Sequence, residues 1–276
     1  MIRVARLSIA PVRSLGLLHP EALDLTETGV AEDRRFYLID DDDRLVDRIT
    51  AGTLVQVGAW ADPDGARLRL TLPDGTSIED EVELGEAIQT VVHKRIAVGH
   101  LVIGPWAAAI APFAGRRVRL VRCDRPGGTR FKEGRVRNAI SLVSDGSLRR
   151  LAAAAGSQAI DGRRFRMLIE VDGAMAHEED GWIGGRIGIG SAELAITKAD
   201  ARCAITTQHP DTGRRDLDVL RTIIGYRGVT PDRKVLFGVL GEVRVPGRVA
   251  LGDEVRLLEL AAAASQPTLA QLSSSL

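Results

Sequence analysis

Lysine and cysteine are scarce, and net charge is absent. Four lysines (Lys94, Lys132, Lys198 and Lys234) stand beside 33 arginines, and 37 basic side chains are balanced by 37 acidic ones. Such a chain lacks the electrostatic surplus that drives general binding to a phosphate backbone, so no nucleic-acid partner is expected. Neutrality limits global fields but leaves room for a local guanidinium pocket. The two cysteines, Cys123 and Cys203, are 80 positions apart. They can make at most one disulfide, and with no Cys-x-x-Cys pair or His-Glu-x-x-His helix they exclude a structural zinc framework. A reducing compartment fits them best. The apolar residues between Met1 and Pro11 are broken by Arg3, Arg6 and Ser8. No later apolar run reaches the roughly 18 residues that a membrane helix needs. The expectation is a cytoplasmic protein with no membrane partner.

What is present is alternation. In Ala66-Arg67-Leu68-Arg69-Leu70-Thr71-Leu72 every second residue is apolar, the pattern of a half-buried strand, and Pro63-Asp64-Gly65 and Pro73-Asp74-Gly75 bracket it with turns. Similar short runs cover Val4 to Ile9, Arg35 to Asp40, Val118 to Val121, Ala139 to Val143, Met167 to Val171, Ala192 to Ile196, Gly241 to Val245 and Glu254 to Leu260. Helices are few. Ser144 or Asp145 caps one with Leu148, Leu151, Ala152 and Ala155 on one face and Gly156 at its end. A second spans Asp216 to Ile224 with Gly225 after it, and a third starts with Pro105 as its first residue and runs through Ile110. The reading is a mainly β, α+β chain of two barrel-like units, residues 1–120 and 121–262, with a flexible tail at 263–276.

Two groups of residues could carry chemistry. Cys203 follows Arg202, and a neighbouring guanidinium favours the thiolate, which is both nucleophile and soft metal ligand. Cys123, flanked by Arg122 and Arg125, has the same local appeal, and for either one a small buried core residue is the plainer reading. The second group is arginine and hydroxyl residues in loops: Arg13-Ser14, Asp33-Arg34-Arg35, Ser144 at a helix start, and Arg163-Arg164-Phe165-Arg166. Guanidinium forks, hydroxyls and helix N-termini hold phosphate. The five histidines show no ligand spacing, and Glu178-Glu179-Asp180 reads as a solvated acidic loop.

Taken in chain order, Pro11-Val12-Arg13-Ser14, Glu32-Asp33-Arg34-Arg35-Phe36, Arg164-Phe165-Arg166, Glu179-Asp180-Gly181-Trp182, Arg202-Cys203-Ala204-Ile205-Thr206-Thr207 and Asp211-Thr212-Gly213 resemble MOSC proteins. The resemblance is to a two-part member, an N-terminal β-barrel region followed by the MOSC domain, and covers roughly residues 1 to 260. It implies a molybdenum cofactor, molybdenum-molybdopterin, with Cys203 as the metal ligand and Arg13, Ser14, Arg34, Ser144, Arg166 and Arg202 holding its phosphate and pterin. Through the sulfurase members of the group it also brings pyridoxal phosphate binding and sulfur carriage as associated properties.

The activity implied is oxidoreduction of a small-molecule substrate, the removal of oxygen from N-hydroxylated or N-oxygenated compounds. Electrons would come from a separate flavin, iron-sulfur or haem partner, since nothing after Leu260 could bind a cluster. Glu179 and Asp180 are the acids that could relay protons. Two alternatives keep Cys203: sulfur transfer through a persulfide, and a non-enzymatic cofactor carrier. The chain departs from its family at Arg13, where many relatives have lysine, and at Phe165-Arg166-Met167-Leu168, where Leu168 replaces an expected asparagine.

Overall fold

The computed structural model describes residues 1–92, 95–125, 131–132, 135–136 and 138–260. The expected tail at 263–276 lies outside them. The described chain is mainly strand with three helices. One sheet has seven strands, in the order Arg3–Leu7, Ile169–Asp172, Ile140–Ser144, Val235–Val245, Ala192–Arg202, Arg186–Ile189 and Val255–Glu259. Its two edges meet: the Val4 N–H donates to the Asp253 carbonyl at 2.9 Å and the Val255 N–H to Ile2 at 2.9 Å, curling the sheet toward a barrel. The first strand therefore sits among strands from the second half of the chain. Val4, Leu7, Ile9, Leu23, Leu25 and Val30 share one core with Ile140, Leu142, Ile187 and Val239.

Of the rest of the first half, Ala22–Leu25 pairs with Gly247–Ala250, while other strands form a five-stranded sheet, Leu45–Val46, Phe36–Ile39, Arg119–Cys123, Arg95–Ile103 and Glu83–Val92, and a three-stranded one, Gly58–Ala61, Arg67–Thr71 and Ser77–Glu81. The alternation read from residues 66–72 has its expected effect. Leu68 and Leu70 are fully buried, while Arg67 and Arg69 face outward and pair with Glu79 on the next strand. Trp106 closes this core, its indole N–H donating to the Leu68 carbonyl at 3.1 Å. Burying a side chain of that size contributes on the order of 2 kcal/mol or more.

The three helices are α1 (Trp106–Ala114), α2 (Asp145–Ala155) and α3 (Val219–Arg227). Both ends of α2 were legible: the Ser144 side chain accepts from the Ser147 N–H, and Gly156 takes the left-handed conformation with φ 65°. The other two differ from expectation. Pro105 is the cap of α1 rather than its first residue, and the helix continues to Ala114 because Trp106, Ile110 and Ala114 bury one continuous stripe. The third helix starts later and ends later than the pattern suggests. Asp218 caps it by accepting from Arg221, Gly225 lies inside it, and Gly228 at φ 73° ends it. Asp216, the expected start, is instead paired with Arg164. Helices α2 and α3 cover one end of the large sheet through Leu148, Leu151, Phe165, Ile223 and Phe237, the cluster on which the candidate site rests.

Candidate functional site

Two segments near the N-terminus are laced together before they reach the cleft. The Arg13 N–H donates to Phe36 at 2.7 Å, the Arg34 N–H to Ala10 at 2.8 Å, and the buried Asp33 carboxylate accepts from the Ala10 N–H at 2.9 Å. Asp33 also pairs with the Arg34 guanidinium. Ser14 (φ 74°) and Arg34 (φ 56°) are both left-handed, an uncommon state for residues with a Cβ and one that re-aims the side chains. From the second half comes Arg166, also left-handed at φ 53°, which reaches across to the Leu15 carbonyl at 2.8 Å.

Between these segments lies a cavity of about 300 Å3 whose lining includes Arg34, Ser141, Arg164, Arg166, Arg202 and Cys203. Cys203 is exposed, at the end of the long strand Ala192–Arg202. The two threonines of the Arg-Cys-x-x-Thr-Thr block brace the turn that follows. The Thr206 hydroxyl donates to the Cys203 carbonyl at 3.1 Å and the Thr207 hydroxyl to Ala204 at 2.6 Å. Local side-chain bonds of this kind fix a turn that the backbone alone would leave loose.

The arginines at the cleft divide by what they touch. Arg164 holds Asp216 through two bonds of 2.7 Å. Arg202 donates to the Phe237 carbonyl at 2.8 Å and the Phe165 carbonyl at 3.2 Å, pairs with Asp200 at 3.0 Å, and lies over the Phe165 ring. Its hydrogen bonds anchor the strand end that presents Cys203. Arg166 is different: burial, then the charges of Arg48 and Arg34, push its guanidinium well below its ordinary range. A buried positive charge crowded by others of its sign is an electrostatic hole for an anion.

Arg48 was not singled out from the sequence. It is 1% exposed, donates from Nε to Gln208 Oε1 at 2.9 Å, and takes the Gln208 amide on its own carbonyl at 2.6 Å. Nη1 and Nη2 have no hydrogen-bond partner. Burial lowers its pKa to about 10. Arg48 and Arg166 both line a second cavity of about 180 Å3, together with Gly16, His19, Gln56 and Arg163. Close by, the halves of the chain touch backbone to backbone. A Cβ on Gly213, itself at φ 71°, would lie 1.9 Å from the Gly52 carbonyl.

Other expected residues lie elsewhere. The described lining of the cleft does not include Ser144; its hydroxyl caps α2 and donates to Glu179 at 2.7 Å. Glu179 is not a solvated loop acid. It is fully buried, accepting from Ser144 and from Ser147 at 2.7 Å, because the turn Glu178–Trp182 folds it under the start of α2. Asp180 pairs with Arg227 at 2.6 Å. Neither acid is among the described residues lining the cleft. His177 is wedged between Tyr226 and Phe237. Leu168 is turned into the large core, and its N–H donates to Ser141 at 2.9 Å. Cys123 is buried, and burial pushes its thiol up to about 12, the inert state of the plainer reading. Among the described residues no lysine, whose amine pyridoxal phosphate uses, lines either cavity. Among the described residues no group of three or more His, Cys, Asp or Glu could hold a metal alone, and no helix is long and apolar enough to cross a membrane.

Known proteins resemble this chain over parts of its length. Over 101 residues it is 36% identical to mitochondrial amidoxime-reducing component 1 of Mus musculus, covering 34% of this chain and 29% of that protein. Over 98 residues it is 38% identical to mitochondrial amidoxime reducing component 2 of Bos taurus, covering 33% and 29%. The matched stretch thus spans less than a third of these relatives. Among solved structures, the YUAD protein from Bacillus subtilis matches over 92% of this chain and 94% of its own at 15% identity, with a TM-score of 0.45. The MOSC N-terminal beta barrel domain matches residues 1–99 and the MOSC domain residues 129–256, and the chain belongs to the MOSC family.

Proposed function

We propose that the cleft holds a molybdenum-molybdopterin cofactor, and that the protein is an oxidoreductase removing oxygen from N-hydroxylated or N-oxygenated compounds. The observation that carries this reading is an exposed thiol, Cys203, on a cavity whose charged wall is mostly guanidinium. The residues fit the group. Its phosphate needs cationic forks, and Arg34 and Arg166, crowded with Arg48 and Arg13, supply a field that an anion relieves. Its metal is soft enough to take a thiolate, and Cys203 offers one sulfur while the pterin brings the others. When bound, the cofactor supplies a two-electron redox centre.

The chain's own contributions are positional. Asp33 orients Arg34 through their ion pair, and Ser14 presents its backbone from a left-handed turn. Arg202 contributes by anchoring the end of the Cys203 strand, and Thr206 and Thr207 hold the loop that follows. Ser144, bonded to Glu179, supports this half of the site through α2 rather than by touching the cofactor. Electrons come from a separate flavin, iron-sulfur or haem protein. The mitochondrial relatives named for amidoxime reduction support this choice of substrate class.

Elemental analysis with pterin fluorescence, on protein made in a host that synthesises the cofactor, tests the reading. Near-stoichiometric molybdenum is expected, together with reduction of a benzamidoxime-type substrate given a competent donor. Cys203→Ala abolishes that reduction with the fold intact, and full activity in the variant overturns the ligand role. Metal-free protein with a cyanolysable sulfur on Cys203 indicates sulfur transfer instead, and cofactor bound without any turnover indicates a carrier.

A further inference from the structure

We infer that the second cavity is a binding site for a phosphate-type oxyanion, with Arg48 as its principal ligand. The argument starts from hydrogen-bond accounting. A guanidinium carries five N–H donors, and that of Arg48 spends one, on Gln208. Nη1 and Nη2 are buried without a partner. Leaving a buried donor unmet is costly, and folded proteins rarely keep such groups unless something outside the chain meets them. Gln208 grips Arg48 from both sides, at Nε and at the backbone carbonyl, so the guanidinium is held rather than free to turn away.

The cavity suits one class of ligand. A fork of paired N–H groups matches two oxygens of a tetrahedral oxyanion. The volume of about 180 Å3, against about 30 Å3 for each liquid water, has room for such an ion and several waters. Arg166 adds a second positive charge from the wall it shares with the cleft. The other charged groups do not compete strongly: Arg163 is neutralised by Asp161 and Asp211, and Asp211 is occupied by it. Burial lowers the pKa of His19, the titratable neighbour on the rim.

This site goes beyond the cofactor reading, because Arg34, Arg202 and Cys203 are absent from its described lining, and cofactor-free protein tests it. The full chain, made without the cofactor, is titrated with inorganic phosphate and followed by calorimetry and by 31P line broadening. Saturable binding at one site is expected, weakened at least tenfold in Arg48→Met and unchanged in Cys203→Ala. If Arg48→Met does not fold, Gln56→Glu sets a carboxylate on the rim without touching Arg48 and weakens binding in the same direction. No saturable binding in the millimolar range, or binding indifferent to a folded Arg48→Met or to Gln56→Glu, overturns the inference. Repeating the titration on cofactor-loaded protein separates two sources of the oxyanion. Undiminished binding identifies a free ion, and loss of binding identifies the phosphate end of a ligand reaching past Arg166 from the cleft.

Discussion

Two buried polar regions of this protein are built from similar materials and come out differently. Beneath α2, Ser144, Ser147, His177, Glu179 and Tyr226 form a closed knot: Glu179 takes both serine hydroxyls, Ser147 meets His177 Nδ1 at 3.3 Å, and Tyr226 meets His177 Nε2 at 3.3 Å. Beside the cleft, Arg34, Arg48 and Arg166 crowd together, and Arg48, a lining residue of the second cavity, keeps two buried nitrogens without a partner. The knot satisfies itself and so behaves as part of the core. In the guanidinium cluster two donors of Arg48 stay unmet, which is the ground of the oxyanion site inferred above. Burial of polar groups therefore marks a functional site only when the hydrogen-bond accounts stay open.

The comparison can be broken most sharply at the cleft. Cys203→Ala should remove all amidoxime reduction while leaving the thermal midpoint within a degree or two, since an exposed side chain of that size packs against little; steady-state assay and calorimetry on the same sample check both halves. In the knot the signs reverse. Glu179→Ala strands two buried serine hydroxyls and should cost roughly 3 kcal/mol in denaturant unfolding. Ser144→Ala removes the cap of α2 and one of those bonds, for about 1–2 kcal/mol. Cofactor content per folded molecule should stay at the wild-type level in both variants, and a fall in it would move the knot into the site.

A further effect expected is a slope. Burial lowers the pKa of His177 to about 4 from its ordinary 6.5. The unfolded chain then binds more protons between those values, so stability falls as pH drops from about 6.5 toward 4. His177→Gln, followed by thermal unfolding across that window, should flatten the slope; an unchanged slope would assign it to other groups.

Much of this was legible in the sequence because its causes are local. Alternation located the strand Arg67–Thr71, the Ser144 and Gly156 pair framed α2, and the ordered motif blocks brought Arg34, Arg166, Arg202 and Cys203 to one cavity. What escaped has its cause far away in the chain. Arg48, in Val-Asp-Arg-Ile-Thr, looks like any surface arginine, and the partner that buries it is 160 residues on. Gln208, directly after the Arg-Cys-x-x-Thr-Thr block, was the signal nearest to finding it. The long hairpin of Glu83–Val92 and Arg95–Ile103 escaped for another reason: Val91, Ile96 and Val98 face solvent, so apolar residues do not mark one inner face. Glu179 was misread because three adjacent acids suggest solvent, and nothing nearby in sequence announces the two serines that receive it.

The way the first strand is seated bears on how the molecule is made. Arg3–Leu7 fills a slot beside Ile169–Asp172, and Arg3 donates to the Gly252 carbonyl 249 positions away. The large sheet cannot close its seam until nearly the whole described chain has been synthesised, so its opening residues wait, unpaired, while the intervening segments take shape. Bringing ends so distant together delays assembly more than it weakens the product. A cut between the two family regions would strip the second of its edge strand, and separately produced halves would have to find each other before either was finished.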